Sequence, residues 1–474
     1  MVAKFGGSTI GIDGILIPKI IERIQKMIEE TKIVAVFSAP LTIYEGKICS
    51  VTDVAIKVGN NYASTKPVEI EVLREIYERI LFEHVSKKYH EEFLQKLDKF
   101  HRQVIISLKQ AAENRRFVDV VRSRVLAYSG EVPMSYLMDY VIRSYGIRSD
   151  HIDIEKWPII TDDNFEASTF MVEESKLHNS HLIELIAHNE VVSMGGFIGK
   201  TIDGLETTYE RGGSDRTAAD IAILLHGYYD AKVDFEKDSA VLSADPKIVK
   251  DDLAYVRHLS YNEAKLAGMF GMKILDPVAI KEIDDNNLDI PIVITNTINP
   301  SNVTTIRRTI QNLEDSNRVK IVTGRKNCAI VRMESAAASC LITSLEKVKQ
   351  YYEFVKLSPY KREDTEITRL LFLNADYVKK QERLFRAYYP KVEIVYGIGV
   401  VTLIGDQMWY MPNIVSTASS IVGEHDINIL NLDAQEETSR ILIIVEDKNT
   451  NVGDAVKAIH SKRSKIYDNS KKYA

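Results

Sequence analysis

The first 37 residues constrain the fold more than any other stretch. Residues Val2–Phe5 read as a short apolar strand, and Gly6-Gly7-Ser8-Thr9 as a tight turn. Ile20, Ile21, Ile24, Met27 and Ile28 then recur at helical spacing, and the run Ile33–Phe37 reads as a buried strand. Strand, glycine turn, helix, strand is a βαβ unit, which calls for parallel pairing and helices packed over the sheet. The expected fold class is therefore α/β with a mostly parallel central sheet. Ligands of such sheets gather at the carboxyl ends of the strands. Lys4 stands at the end of the first strand, where it can stabilise negative charge on a transferring phosphoryl group. Taken alone, it is better read as a surface lysine beside a turn. The spacing is neither that of a Walker A loop nor that of a dinucleotide fingerprint.

A second glycine turn lies in residues 207–220, TTYERGGSDRTAAD. It follows the apolar run VVSMGG at 191–196 and leads into an apolar helix-like run at 218–225. Gly212 and Gly213 permit a tight turn and close approach of a ligand to the backbone. Ser214 or Asp215 can cap the following helix. The free N–H groups of a helix start suit an anion. Arg211 can grip a carboxylate or phosphate with two parallel hydrogen bonds. An ordinary loop before a capped helix is an even alternative for this turn alone.

At 474 residues the chain is long enough for about three domains. A net charge of −6 gives no sign of nucleic-acid or membrane binding, and no apolar run reaches the roughly 20 residues that span a bilayer. The start MVAKFGGSTI reads as a strand rather than a secretory leader. Cys49, Cys328 and Cys340 form neither a disulfide framework nor a zinc-like pair, so the expected setting is the cytoplasm. Residues 66–126 read as a charged, mainly helical insertion. Its apolar faces are marked by Leu73, Ile76, Tyr77 and Ile80 and by Phe93, Leu94, Leu97 and Phe100. His84, His90 and His101 in it lack metal-ligand spacing, and no metal site is expected.

Lys4-Phe5-Gly6-Gly7-Ser8-Thr9, taken with Arg211-Gly212-Gly213-Ser214-Asp215, resembles the aspartate kinases of the amino-acid kinase superfamily. The resemblance implies a three-layer sandwich with a mostly parallel central sheet over residues 1–310. It also implies C-terminal α+β regulatory domains of the ACT type, a divergent unit over 318–395 and a second over 396–474. The last strands of the chain are expected to return to complete the first of these. The strand at 400–404, helix at 412–424, Ile427-Asn428-Ile429, strand at 441–445 and helix at 452–459 fit the second unit well. Residues 319–379 fit the first poorly.

The resemblance also implies roles. Ser129-Gly130-Glu131 opens a helix and places Glu131 on the ammonium of aspartate. Ser38 or Thr52, with Thr42 the other match for that threonine, helps hold the side-chain carboxylate. Phe197, after Gly196, lines the aspartate pocket, as does Ser214, and Arg211 grips the α-carboxylate. The Thr161-Asp162 loop is structural or near the substrate. Gly6, Gly7, Ser8, Gly212 and Gly213 approach the ATP phosphates. Lys4 and Lys273 neutralise charge on the phosphoryl and leaving groups, and Asp215 orients Lys4. Residues 234–246, DFEKDSAVLSADP, resemble the nucleotide loop W-T-D-V-x-G-I/V-Y-x-x-D-P, which brings in Phe235, Glu236, Leu242 and Asp245. Phe235 stands for the usual Trp, Ala240 for Gly, Leu242 for an aromatic residue, and Asp276 for the His of a later motif.

An ionised acceptor carboxylate has no proton to lose, so the chemistry needs positioning and charge neutralisation rather than a general base. The expected activity is transfer of the γ-phosphoryl of ATP to the β-carboxylate of L-aspartate, with Mg²⁺ held mainly by ATP oxygens and water. A lysine or threonine effector at the ACT units and a homodimer or larger symmetric assembly are further expectations. The rivals are another acceptor (acetylglutamate, glutamate or UMP) and a non-catalytic amino-acid sensor.

Overall fold

The structure, a computed structural model, describes the chain apart from residues 211, 273, 310–318, 348–353, 436–437, 464–465 and 467–474. The chain forms two units, Met1–Ala240 with Val278–Arg308, and Val241–Pro277 with Thr309–Ala474. The stretch Val241–Pro277, which the sequence groups with the first 310 residues, packs within the second unit.

The first unit is built on the βαβ start. Its strands lie side by side in the order Val303–Arg307, Ile292–Asn296, Val233–Lys237, Val2–Phe5, Ile33–Phe37, Val191–Gly195, Ser149–His151. Every pairing is parallel except that of Val303–Arg307 with Ile292–Asn296. Ile292–Asn296 is therefore not the last strand of this sheet, because the chain turns back after it. Val2–Phe5, Ile33–Phe37 and Val191–Gly195 are buried throughout, as a sheet covered on both faces requires.

Strand alternation shows what covers each face. On Val233–Lys237, Asp234 and Glu236 point to one side, where Arg23 of the helix Ile17–Ile28 meets both, Nε at 2.6 Å from Glu236 and Nη2 at 3.3 Å from Asp234. Lys237 points to the other side and meets Asp215 of the helix Gly213–Leu225. A sheet with helices on both faces gives three layers.

The insertion forms the helices Val72–His84, His90–Asn114 and Asp119–Ser129. The first carries Leu73, Ile76, Tyr77 and Ile80 as a buried stripe, as their spacing predicts. Residues 40–50 form a hairpin, Leu41–Tyr44 paired antiparallel with Lys47–Ser50.

In the second unit a six-stranded antiparallel sheet runs Phe354–Arg362, Thr365–Phe372, Ile321–Glu334, Glu393–Ile404, Arg440–Glu446, Ile429–Asp433. The helices Ser335–Lys347 and Ala375–Tyr388 complete a β-α-β-β-α-β order over residues 321–404. The helices Ile414–Gly423 and Asn451–Ser461 flank the remaining strands, where the hydrophobic spacing puts them. This is the architecture expected of ACT-type units. The last strands among the described residues, Ile429–Asp433 and Arg440–Glu446, pair with each other and with Glu393–Ile404, and residues 467–474 lie outside the described residues. Ser260 and Glu263 form the capping box that their spacing signals, and Lys320 lies 2.7 Å from Glu263.

Candidate active site

Four parallel strands bring their carboxyl ends together in sheet order, and each delivers one piece of a site. Val233–Lys237 ends in Lys237, Val2–Phe5 carries Lys4, Ile33–Phe37 leads into Ser38-Ala39, and Val191–Gly195 leads into Gly196-Phe197. The register sets Lys4 opposite Phe235, so Lys4 and Lys237 share a face. Over that face runs Gly213–Leu225. Its N-cap is Gly212 in the left-handed region (φ 94°), which a residue with a Cβ resists. Among the described residues no side chain caps this helix: Ser214 and Asp215 lie within its first turn.

Asp215 thereby reaches both lysines. Its Oδ1 is 2.8 Å from Lys4 Nζ and its Oδ2 is 3.3 Å from Lys237 Nζ. Burial opposes the Asp215 charge, but Lys237 and Lys4 override it and hold the carboxyl well below the usual carboxylate range. Burial pushes the Lys237 ammonium down from its ordinary value, against the pull of Asp215.

Glu131 is the second buried charge. The helix Asp119–Ser129 ends at Gly130, and Glu131 opens the next helix, Glu131–Ser144. Ser129 does not cap that helix, because its hydroxyl donates back to the Val125 carbonyl. Tyr77 of the insertion pins the corner, its hydroxyl 2.8 Å from the Ser129 carbonyl and 2.7 Å from that of Gly130. Glu131 is 4 % exposed. Its Oε2 has no hydrogen-bond partner among the described residues. Burial pushes the carboxyl up to about 7, against the backbone amides of Ala39 and Glu131 and the Lys4 charge. A buried carboxylate with an open oxygen is suited to an incoming cation.

The turn after Val191–Gly195 fits between these parts. A Cβ on Gly195 would lie 2.8 Å from the Glu131 carbonyl oxygen, and one on Gly196 would lie 2.5 Å from Ser214 Cβ. Phe197 is held at φ +69°, a strained position for a bulky residue, by its N–H donating to Thr217 Oγ1 and its carbonyl accepting from the Tyr209 amide. Gly196→Ala is expected to overpack the start of the helix at Ser214 and to destabilise the fold by about 1–3 kcal/mol, read as a lower unfolding midpoint.

Gly6, Gly7 and Ser8 form a one-turn helix start beside Lys4, and a Cβ on Gly6 would meet Lys4 Nζ at 3.3 Å. Ser38 follows its strand directly, its N–H donating to the Phe5 carbonyl. Thr52 is the second residue of the helix Val51–Ala63, whose first amide donates to the Pro40 carbonyl. Thr42 is buried, with its hydroxyl 3.5 Å from Arg79 Nη2. Thr161 bonds Thr207 through their hydroxyls at 2.6 Å. Arg211 and Lys273 lie outside the described residues.

Two residues of the nucleotide-loop motif lie on the strand Val233–Lys237 itself. Phe235 is fully buried beneath Lys237, 5.9 Å from its Nζ. Glu236 lies on the opposite face of the sheet, its carboxylate held by Arg23, with burial pushing it up to about 7. Leu242 and Asp245 belong to the second unit. There Leu242 bridges to Tyr255, and Asp245 accepts from the Lys247 amide at 2.8 Å.

Sequence reasoning missed Lys237, Tyr77 as a pin, and the Ala39 amide. The period-2 alternation of 233–237 was the available signal for Lys237. Among the described residues Asp139, Asp150 and His151 form a cluster with metal-like spacing. It already meets protein cations, with Arg143 3.5 Å from Asp139 and Lys96 3.2 Å from His151 Nε2.

With this geometry in view, comparison with known proteins becomes decisive at one level. Residues 1–296 match the family described as the amino acid kinase family. The chain belongs to that family. Among curated amino acid kinase relatives, a bifunctional aspartokinase/homoserine dehydrogenase of Buchnera aphidicola is 24% identical over 373 residues, covering 76% of this chain and 43% of its own length. An aspartokinase of Helicobacter pylori is 23% identical over 341 residues, covering 70% of this chain and 81% of its own. The chain thus spans about two fifths of the bifunctional relative. Among solved structures, E. coli aspartokinase III in complex with aspartate and ADP has a TM-score of 0.74 at 17% identity, covering 97% of this chain and 98% of its own. Clostridium acetobutylicum aspartate kinase has a TM-score of 0.68 at 20% identity, covering 97% and 99%. At these identities the two structures establish a shared fold.

Proposed function

We propose that this amino acid kinase is an aspartate kinase, transferring the γ-phosphoryl of ATP to the β-carboxylate of L-aspartate. The observation that carries the reading is the pairing of opposite charges along one sheet edge. A buried Glu131 with an open oxygen stands beside a lysine-rich anion site at Lys4 and Asp215. A zwitterion with a second carboxylate fits that pattern: ammonium to Glu131, reacting carboxylate toward the lysines.

In the reaction a β-carboxylate oxygen of aspartate attacks the γ-phosphorus, and the bond from phosphorus to the bridging oxygen breaks. ADP leaves with the electron pair, and no proton moves. Two anions must meet, so the work falls to positioning and charge. Lys4, oriented by Asp215, neutralises charge on the transferring group. The amides of the Gly6-Gly7 and Gly212-Gly213 turns approach the phosphates. Arg211 binds the α-carboxylate, Ser38 and Thr52 support the reacting one, and Lys273 meets the leaving group. Mg²⁺ would be held mainly by ATP oxygens and water and would supply further charge neutralisation.

The antiparallel C-terminal unit is read as the regulatory module, taking lysine or threonine, in a homodimer or larger assembly, in the cytoplasm. E. coli aspartokinase III has been solved in complex with lysine and aspartate, which supports that reading. Among the described residues no helix is long and apolar enough to cross a membrane. The test is an assay of ADP release with ATP and a panel of acceptors, with and without lysine and threonine. Turnover on aspartate above acetylglutamate, glutamate and UMP is expected, and a different preferred acceptor would overturn the substrate.

A further inference from the structure

We infer that Lys237 is a second phosphate-directed cation of the site, acting on ATP and the transferring phosphoryl opposite Lys4. The inference rests on the proposed kinase reaction and deepens it.

Three observations carry it. The first is placement: Lys237 shares the sheet face of Lys4 and lies two residues further toward the carboxyl edge, where ligands of such sheets bind. The second is charge. Asp215 is the only carboxylate within ion-pair distance of either lysine among the described residues, at 2.8 Å and 3.3 Å. Two ammonium groups converge on that one carboxylate, while the other carboxylates they feel, Glu131 for Lys4 and Asp238 for Lys237, lie beyond ion-pair distance, so each ammonium, with three donors, keeps donors for an anion. Arg216, the next cation on the same helix, is engaged by Glu282 at 2.7 Å and stacked on Tyr209 at 4.1 Å. The third is rigidity. The Lys237 carbonyl accepts from the Thr297 amide at 2.9 Å and its hydroxyl at 3.2 Å, and Asn296 bonds the Asp238 carbonyl at 3.0 Å. The buried Phe235 ring lies beside the ammonium. Lys237 is thus launched from a pinned backbone, as a positioned charge must be.

A lysine serving only to balance Asp215 would affect stability and leave nucleotide binding alone. The experiment is calorimetric titration of the full chain with MgADP, together with initial-rate kinetics, for wild type, Lys237→Met, Lys237→Gln and Lys237→Arg. Lys237→Met is expected to weaken ADP binding and raise the KM for ATP by about tenfold or more, to lower kcat, and to leave the KM for aspartate within about twofold. Lys237→Arg should recover part of the loss. Lys237→Gln, which keeps a hydrogen bond to Asp215 without the charge, separates folding from charge. A Gln variant that melts like wild type and keeps ADP affinity and kcat within about twofold overturns the inference. A rise in the KM for aspartate alone does so too. Wild type that binds ADP through Lys237 yet never turns over aspartate would sink the aspartate-kinase reading and leave the inference standing.

Discussion

Replacing Lys4 with alanine is expected to lower kcat by about two to three orders of magnitude, while the protein stays folded. Among the described residues Lys4 is the cation held closest to Asp215, at 2.8 Å, on a strand whose other residues are fully buried. Its ammonium is fixed before the reaction, so it stabilises developing charge without reorganising. The fold survives because Asp215 keeps Lys237 as a partner. The pH dependence of stability gives a separate check. The two lysines hold the Asp215 pKa below its unfolded value, so their stabilisation is present above about pH 4 and is lost progressively as pH falls from there toward the depressed folded value. Lys4→Ala should therefore show a smaller loss of melting temperature on acidification below about pH 4 than wild type. Aspartate-dependent ADP release at the wild-type rate by Lys4→Ala would remove Lys4 from the catalytic role.

The parts legible in the sequence are those set by local rules. The βαβ start is written in apolar spacing and a glycine turn, and it fixed the parallel sheet. The capping box at Ser260 and Glu263 is a four-residue pattern and is present. Spatial relations were harder. The pairing of Lys4 with Asp215 spans the chain from the first strand to a helix start, and only the resemblance brought it forward. Phe235 and Glu236 were expected at the nucleotide because they occupy positions in a loop motif. Strand alternation and burial place Phe235 in the core and turn Glu236 toward Arg23 on the other face, which a motif cannot show. The same alternation reveals Lys237, which the motif reading passed over. Tyr77 shows another limit. Its apolar spacing predicts burial correctly, but nothing local shows that its hydroxyl holds the Gly130-Glu131 corner.

Glu131→Gln is expected to stabilise the ligand-free protein at pH 8 and to weaken aspartate binding by about 100-fold or more. The folded protein raises the Glu131 carboxyl to about 7, chiefly by burial. A folded-state pKa above the unfolded one means the contribution to stability is complete below about pH 4 and lost as pH rises through about 7. Above that pH the ionised carboxylate is buried with one oxygen unpartnered among the described residues, at a cost of roughly 3 kcal/mol. Glutamine resembles the protonated acid and cannot ionise, so the variant should melt above wild type at pH 8, with the gap closing toward pH 5. The cost in the free protein is what prepares the site for an ammonium group: aspartate supplies the missing partner and brings the carboxyl back to its charged form. Wild-type affinity for aspartate should accordingly fall about tenfold per pH unit below about 7, because only the ionised site binds. In Glu131→Gln the affinity should be low and flat over the same range, with the KM for ATP unchanged. Thermal melts and aspartate titrations at pH 5.5, 7 and 8 measure all of these together. A variant that is less stable than wild type at pH 8, or one that binds aspartate normally, would show that Glu131 is a structural residue of the helix corner and that the ammonium is held elsewhere.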